Sequence, residues 1–373
     1  MKNAGTPPIY LRVGDLVEVR SEQEILATLD DQGALGGMPF MPEMLEYCGK
    51  RFRVEKRADK TCNTITVMES RRIHDVVHLE GLRCDGSAHG GCQAQCFLFW
   101  KEAWLRRVKE REAGSTRFRT SPGPADSSLR CDRARLADVT RHPESSQDSG
   151  IAYRCQATDL LKASESLPWW DIRQYLRDVR SGNVGVKDLL KVAFFRIFQK
   201  TLRITAYRAQ IRAYNRFQSW RGGTPYPYLW GSLDKTPHQT LGLQPGDLVQ
   251  VKSHEEILAT LSTKNKNLGL RFDAEMVPYC GSVRRVRARV ERIIDERTGK
   301  MLTFPRDCLI LDGVICRAEY SERRLFCPRS IYPYWREIWL KRAEAVANSP
   351  ANPCDEALEP GGHNPKMQGQ DRL

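Results

Sequence analysis

No apolar run in this chain approaches the about 20 residues needed to cross a bilayer, so a membrane-spanning helix is not expected. Residues 1–6 lack the hydrophobic stretch of a secretory signal, and the expected compartment is the cytoplasm, with a peripheral position at the membrane surface as an extension of that reading. Also missing are a Walker-type phosphate loop, a dinucleotide fingerprint and a Gly-x-Ser-x-Gly elbow, which leaves nucleotide-driven and serine-hydrolase chemistry without a basis in sequence. What is present is the composition of a globular protein, with 40% hydrophobic and 28% charged residues in a 373-residue chain long enough for two or three domains. Acids fall short of bases by 13 charges, a surplus that suits an anionic partner. The 12 cysteines, in a reducing interior, read as thiols or metal ligands in preference to disulfides.

The chain contains one module twice. Gly14-Asp15-Leu16-Val17 returns as Gly246-Asp247-Leu248-Val249, and the same displacement of 232 positions carries Tyr47-Cys48-Gly49 onto Tyr279-Cys280-Gly281. Between those limits 19 of 36 positions are identical, which excludes coincidence. The register continues to Cys84 and Cys316. After a three-residue adjustment Cys92 meets Cys327, and Trp100 and Trp104 meet Trp335 and Trp339.

Each copy reads as a strand (15–20 or 247–252) followed by a short helix. Ser21 and Glu24, or Ser253 and Glu256, stand at capping-box spacing before the helix's apolar residues. Segments rich in β-branched residues follow: 52–56, 64–68 and 76–82 in the first copy, then 283–293, 301–304 and 308–316 in the second, where Asp295 to Gly299 reads as a hairpin turn. Five short strands in about 70 residues predict a small, bent β-barrel. The four-residue spacing of the paired Trp residues predicts a closing helix with those side chains on a core stripe, in preference to a surface stacked on bases or sugars.

The expected organisation is α+β: a first repeat at 10–108, a flexible linker at 109–150, a basic helical segment at 151–235, a second repeat at 240–345 and a disordered tail at 346–373. Within the basic segment, a short helix over 171–180 stops at Ser181-Gly182-Asn183, and one long helix is expected over 186–221. That long helix carries nine bases, from Lys187 to Arg221, against Asp188 alone, a local surplus of 9 − 1 = +8. With the aromatic stretch that follows, 186–230 suits an anionic membrane surface. A protein partner and nucleic acid are the other partners considered.

Chemistry concentrates in Cys84-Asp85-Gly86-Ser87-Ala88-His89-Gly90-Gly91-Cys92-Gln93-Ala94-Gln95-Cys96, where three thiols and an imidazole stand within 13 residues and glycines let the backbone turn tightly. Tetrahedral zinc held by Cys84, Cys92, Cys96 and either His89 or Cys48 is the simplest reading. The second copy keeps Cys280, Cys316 and Cys327 as candidate ligands but has Arg324 and Ile331 in place of His89 and Cys96. A recurring three-thiolate site with one open position would also suit an iron–sulfur cluster. The alternative is that paired cysteines fill core positions. Cys62, Cys131, Cys155 and Cys354, which have no repeat partner, are assigned to ordinary buried thiols, and His74 and His78 to packed or exposed positions. A nucleophile–base pair of Cys92 with His89, or of Cys96 with a histidine brought in by folding, is the catalytic reading.

The pattern Gly-Asp-Leu-Val-x-Val, then Arg53-Val54 or Arg285-Val286, then Leu79-Glu80-Gly81 or Leu311-Asp312-Gly313, resembles small SH3-like barrels of the ribosomal and nitrile-hydratase-β type over about 70 residues of each copy. The resemblance implies two tandem SH3-like barrels. It implies no nitrile hydratase activity, because the metal-ligand motif of those enzymes is absent. The strings at 24–29, 89–96 and 332–340 also resemble those of a bacterial family with the same duplicated layout, from which no activity carries over. The functional expectation is a cytoplasmic metal-binding interaction or accessory protein. The alternatives are an enzyme with a thiolate-ligated metal or iron–sulfur centre between the repeats, and a nucleic-acid-binding protein.

Overall fold

The computed structural model describes residues 9–65, 69–108, 131–142, 151–201, 207–220, 223, 225–321 and 323–343. The expected tail at 346–373 lies outside the described residues, as do Cys354 and the linker stretches 109–130 and 143–150. The architecture is α+β, built from several small antiparallel sheets and few helices.

In the first repeat five strands run in the order Trp100–Lys101, Val76–Leu79, Arg51–Arg57, Leu16–Val19, Leu105–Arg107. In the second the order is Leu309–Leu311, Val283–Arg289, Leu248–Val251, Leu340–Arg342, and Trp335 bridges Leu309 where Trp100 pairs with Val77. Pairing registers repeat with the sequence: Leu16 opposes Arg53 and Leu248 opposes Arg285, and both long strands break register at the same place, after Val54 and after Val286. Each opening strand is capped as expected by a short helix, Glu22–Leu26 or His254–Leu258, with the full capping box in place. The hairpin expected around Asp295 to Gly299 joins Arg292–Ile294 to Met301–Thr303. No sheet closes into a barrel among the described residues.

The closing segment is not a helix. It is a strand, Trp100–Lys101, then a 3-10 turn, Glu102–Trp104, then a strand, Leu105–Arg107; in the second copy the turn Glu337–Trp339 leads directly into Leu340–Arg342. The physical reason lies in Glu102 and Glu337. Both carboxylates are buried and pinned to a neighbouring segment, Glu102 by the Leu11 N–H and Arg57, Glu337 by the N–H groups of 241–243 and Arg289. The turn carries the first chain from one edge strand of the sheet to the other, so the sheet must curl around the Trp pair. All four indoles are fully buried, and Trp104 and Trp339 each donate to the equivalent threonine, Thr28 at 3.1 Å and Thr260 at 3.0 Å.

Two other expectations change. Residues 131–142, within the stretch read as linker, include helix Arg133–Asp138, and Cys131 and Leu136 are buried in the first core. Residues 151–167 carry strands Ala152–Tyr153 and Glu165–Leu167 and add Cys155, Ala157, Leu160 and Ala163 to that core, so the helical segment begins only at Arg173–Ser181, stopped by Gly182 at φ +84°. The long helix expected over 186–221 is two helices, Val186–Thr201 and Tyr207–Trp220. They fold onto each other through stacked Phe198 and Tyr214, at 4.6 Å, and onto the second repeat through Phe195 and Tyr320. Helical periodicity alone does not register such a reversal.

The repeats interlock reciprocally. The Arg292–Ile294 strand of the second repeat meets the first repeat's cysteine loop: Gln93 N–H donates to the Arg292 carbonyl at 3.0 Å, and Ile294 N–H to Cys92 Sγ at 3.4 Å. The equivalent Lys60–Cys62 strand of the first repeat meets the second repeat's loop, where the buried Cys62 thiol hydrogen-bonds Cys327 and Ser70 Oγ donates to the Arg323 carbonyl at 3.0 Å. Arg329, only 2% exposed, seals the junction by binding Thr64 and Glu296. Removing the carboxylate with Glu296→Ala is expected to cost about 2 kcal/mol, the scale of one hydrogen bond to a charged group. Denaturant midpoints measure this, and an unchanged midpoint would show that the pair contributes nothing.

Candidate metal centre

Three residues converge at the mouth of the first cysteine loop. Glu43 projects from the 3-10 turn Pro42–Tyr47, Cys84 follows the strand Val76–Leu79 after the Gly81 turn, and His89 lies inside the loop. The loop folds over itself at Gly86. At φ +76° a Cβ there would stand 2.1 Å from the Cys92 carbonyl oxygen, so only glycine fits. His89 and Gly91 N–H both donate to the Gly86 carbonyl, which turns the imidazole back toward Cys84.

Cys84 Sγ stands 3.3 Å from His89 Nε2 and 3.6 Å from Glu43 Oε1, and all three ligand atoms lie within 4.8 Å of one another. Tetrahedral zinc, with bonds of about 2.3 Å to sulfur and about 2.0 Å to nitrogen, spaces such ligands about 3.5 Å apart. The geometry fits. Among the described residues this is the one such group of three.

Burial governs the electrostatics of all three groups. Burial pushes Glu43 up to about 7, with the Asp85 charge adding to the effect, and pushes His89 down to about 4. It pushes Cys84 well above the usual thiol range, and Glu43 reinforces that shift. Each group is thus held toward its neutral form by burial, and the second copy's Glu275 is raised to about 7 in the same way. Glu43 Oε2 and His89 Nδ1 are buried without a hydrogen-bond partner, atoms that the fold itself leaves unsatisfied.

A nucleophile–base relay would place the carboxylate beyond the imidazole, in line. Here Glu43 Oε1 is about equally far from the thiol and from His89 Nδ1, at 3.6 and 3.7 Å. Cys84 approaches Nε2 and Glu43 approaches Nδ1, opposite nitrogens of one ring, while thiol and carboxylate also face each other at 3.6 Å. The thiol is pushed up and the imidazole down, the reverse of an activated thiolate–imidazolium pair.

No protein-family model, curated protein or solved structure matches this chain.

Of the residues expected as ligands, Cys84 and His89 are therefore brought together. Cys92 and Cys96 are not in that group but line a cavity of about 40 Å³ beside it, with Cys84, His89, Cys155 and, from the second repeat, Ile294, Glu296 and Arg329. Burial raises Cys96 to about 11 and Cys155 to about 12. Cys48 and Cys280 stand apart, each ending its own 3-10 turn and packed against its own core. Cys316 and Cys327 gather with Cys62, while His74 is exposed beside Glu165 and His78 is buried against the Leu98 carbonyl.

The second copy shows why the first is different. Glu275 is the repeat partner of Glu43, but its carboxylate accepts the N–H groups of Glu319, Tyr320 and Ser321 at 2.7–3.1 Å. Arg324 replaces the imidazole and lies near Cys62. The acid is already satisfied there. Sequence reasoning missed Glu43, although its retention in both copies within an apolar stretch was a usable signal. Cys155 gave none.

Proposed function

We propose that the chain is a metal-binding interaction protein of the cytoplasm, in which Glu43, Cys84 and His89 hold a divalent cation, zinc before others, as an accessory to another protein. The observation that carries this reading is the convergence of an oxygen, a sulfur and a nitrogen with two unsatisfied buried atoms. Sulfur, nitrogen and oxygen together suit zinc better than magnesium or calcium, which take oxygen alone. The adjoining cavity, at about 40 Å³, has room for a water as fourth ligand and not for a substrate of ordinary size, which favours a structural ion. We read the two repeats as SH3-like modules; the shared strand order and the 3-10 turn between edge strands support that assignment.

A second reading rests on the four thiols, Cys84, Cys92, Cys96 and Cys155, that line one enclosed cavity between the repeats. Four thiols are the ligand type of an iron–sulfur centre and, with it, an enzyme, and this reading requires the cavity of about 40 Å³ to widen around the cluster. Elemental analysis and an absorption spectrum of the purified protein separate the two. Colourless protein with stoichiometric zinc, lost in Glu43→Gln and kept in Cys155→Ser, is the expected result. Brown protein with iron, lost in Cys155→Ser and kept in Glu43→Gln, would replace the first reading with the second.

A further inference from the structure

We propose that the face formed by Trp169, Trp170 and Ile172 with the outer side of helix Val186–Thr201 docks on an anionic lipid surface, lying in the headgroup layer. Of the sixteen large apolar side chains exposed among the described residues, ten lie between positions 169 and 220, so they form a regional feature and not surface scatter. Trp170 is 67% exposed, Leu190 64%, Phe194 56% and Ile197 64%.

Helix Val186–Thr201 has two apolar sides. Val192 and Phe195 are buried, and Phe195 packs on Tyr226 and Tyr320. The outer stripe is Val186, Leu190, Phe194 and Ile197, which at 3.6 residues per turn fall within a sector of about 80°. Exposed Lys187 and Lys191 flank it on one side and exposed Lys200 on the other, with Lys191 also 3.8 Å from Glu319. A groove of about 630 Å³ joins this helix to the tryptophans, lined by Trp169, Trp170 and Ile172 on one wall and by Ala193 and Lys200 on the other.

Charge complementarity selects the occupant. Nucleic acid would engage the lysines and leave the stripe in water. A protein groove would cover the stripe without needing lysines along both of its borders. An anionic bilayer engages both, because lysine stems extend along the apolar boundary to reach the headgroups while Trp settles at the interface. Among the described residues no helix is long and apolar enough to cross a membrane, so the contact is with the surface.

The test is sedimentation of the full chain with phosphatidylcholine vesicles, with and without phosphatidylserine, at low and high salt, together with quenching by brominated acyl chains. Binding is expected only with phosphatidylserine and to weaken with salt. Exposed Trp169 and Trp170 should be quenched, whereas the buried Trp100, Trp104, Trp335 and Trp339 should not. Lys187→Gln and Lys200→Gln should each weaken binding about fivefold. Phe194→Ser with Ile197→Ser should abolish quenching. All four of these side chains are exposed, and unchanged circular dichroism confirms folding. Equal recovery with neutral lipid, no recovery with either, quenching that survives loss of the stripe, or binding to nucleic acid alone would overturn the proposal.

Discussion

Cys84→Ser should abolish zinc binding on the proposed reading, and the wild-type affinity should depend on pH in two steps. His89 is already neutral above about 4, so it gives up no proton on binding. The Cys84 thiol, held well above its usual range, releases one at any physiological pH, which makes affinity fall about tenfold per unit as pH drops. Below about 7 Glu43 is protonated as well, and the fall steepens to about a hundredfold per unit. Calorimetric titration with zinc across that range reads both slopes, and a pH-independent affinity would exclude Cys84 as a ligand.

Glu43→Gln separates binding from folding because its two effects have opposite signs. Burial raises the folded pKa of Glu43 from 4.5 to about 7. The neutral form is the one the fold favours, so stability is greatest below about 4.5, is lost as pH rises toward 7, and levels off above it. A shift of that size corresponds to about 3 kcal/mol. Metal-free Glu43→Gln should therefore be more stable than metal-free wild type above about pH 7 and equal to it near pH 4. With zinc added the order should reverse. Thermal melts of the two proteins with and without chelator check it.

Trp104→Ala and Trp339→Ala should each cost about 3–5 kcal/mol, the range for removing a large aromatic from a packed core. Both indoles are fully buried, both pack edge-on to a phenylalanine, Phe40 at 5.1 Å and Phe272 at 5.4 Å, and both leave a threonine hydroxyl without its donor when removed. Because the repeats interlock through Cys92, Arg329 and the crossing strands, damage in either should lower one shared transition. Two separated denaturation steps would show that the modules are independent.

Features legible in the sequence were those set by neighbours along the chain. The capping boxes at Ser21 and Ser253, the Gly182 stop and the tight turn at Gly86 follow from local stereochemistry. The displacement of 232 fixed which strands correspond. Features set by distant partners were hidden. Trp100 ends up in a strand and Trp104 in the 3-10 turn after it, where Glu102 is held by Arg57 and Leu11. The packing of helix Tyr207–Trp220 on helix Val186–Thr201 depends on Phe198 meeting Tyr214. The site was half legible: Cys84 and His89 stand in one conspicuous loop, whereas Glu43 arrives from 41 residues away.

The exchange of crossing strands between the repeats gives the chain the internal logic of a symmetric dimer whose two subunits have been fused. A true homodimer would have to keep both of its loops alike, since one gene writes both. Fusion lifts that requirement. One loop here brings Cys84 and His89 close to Glu43, while its counterpart binds the equivalent acid, Glu275, with backbone N–H groups and turns Cys327 toward Cys62 of the neighbouring strand.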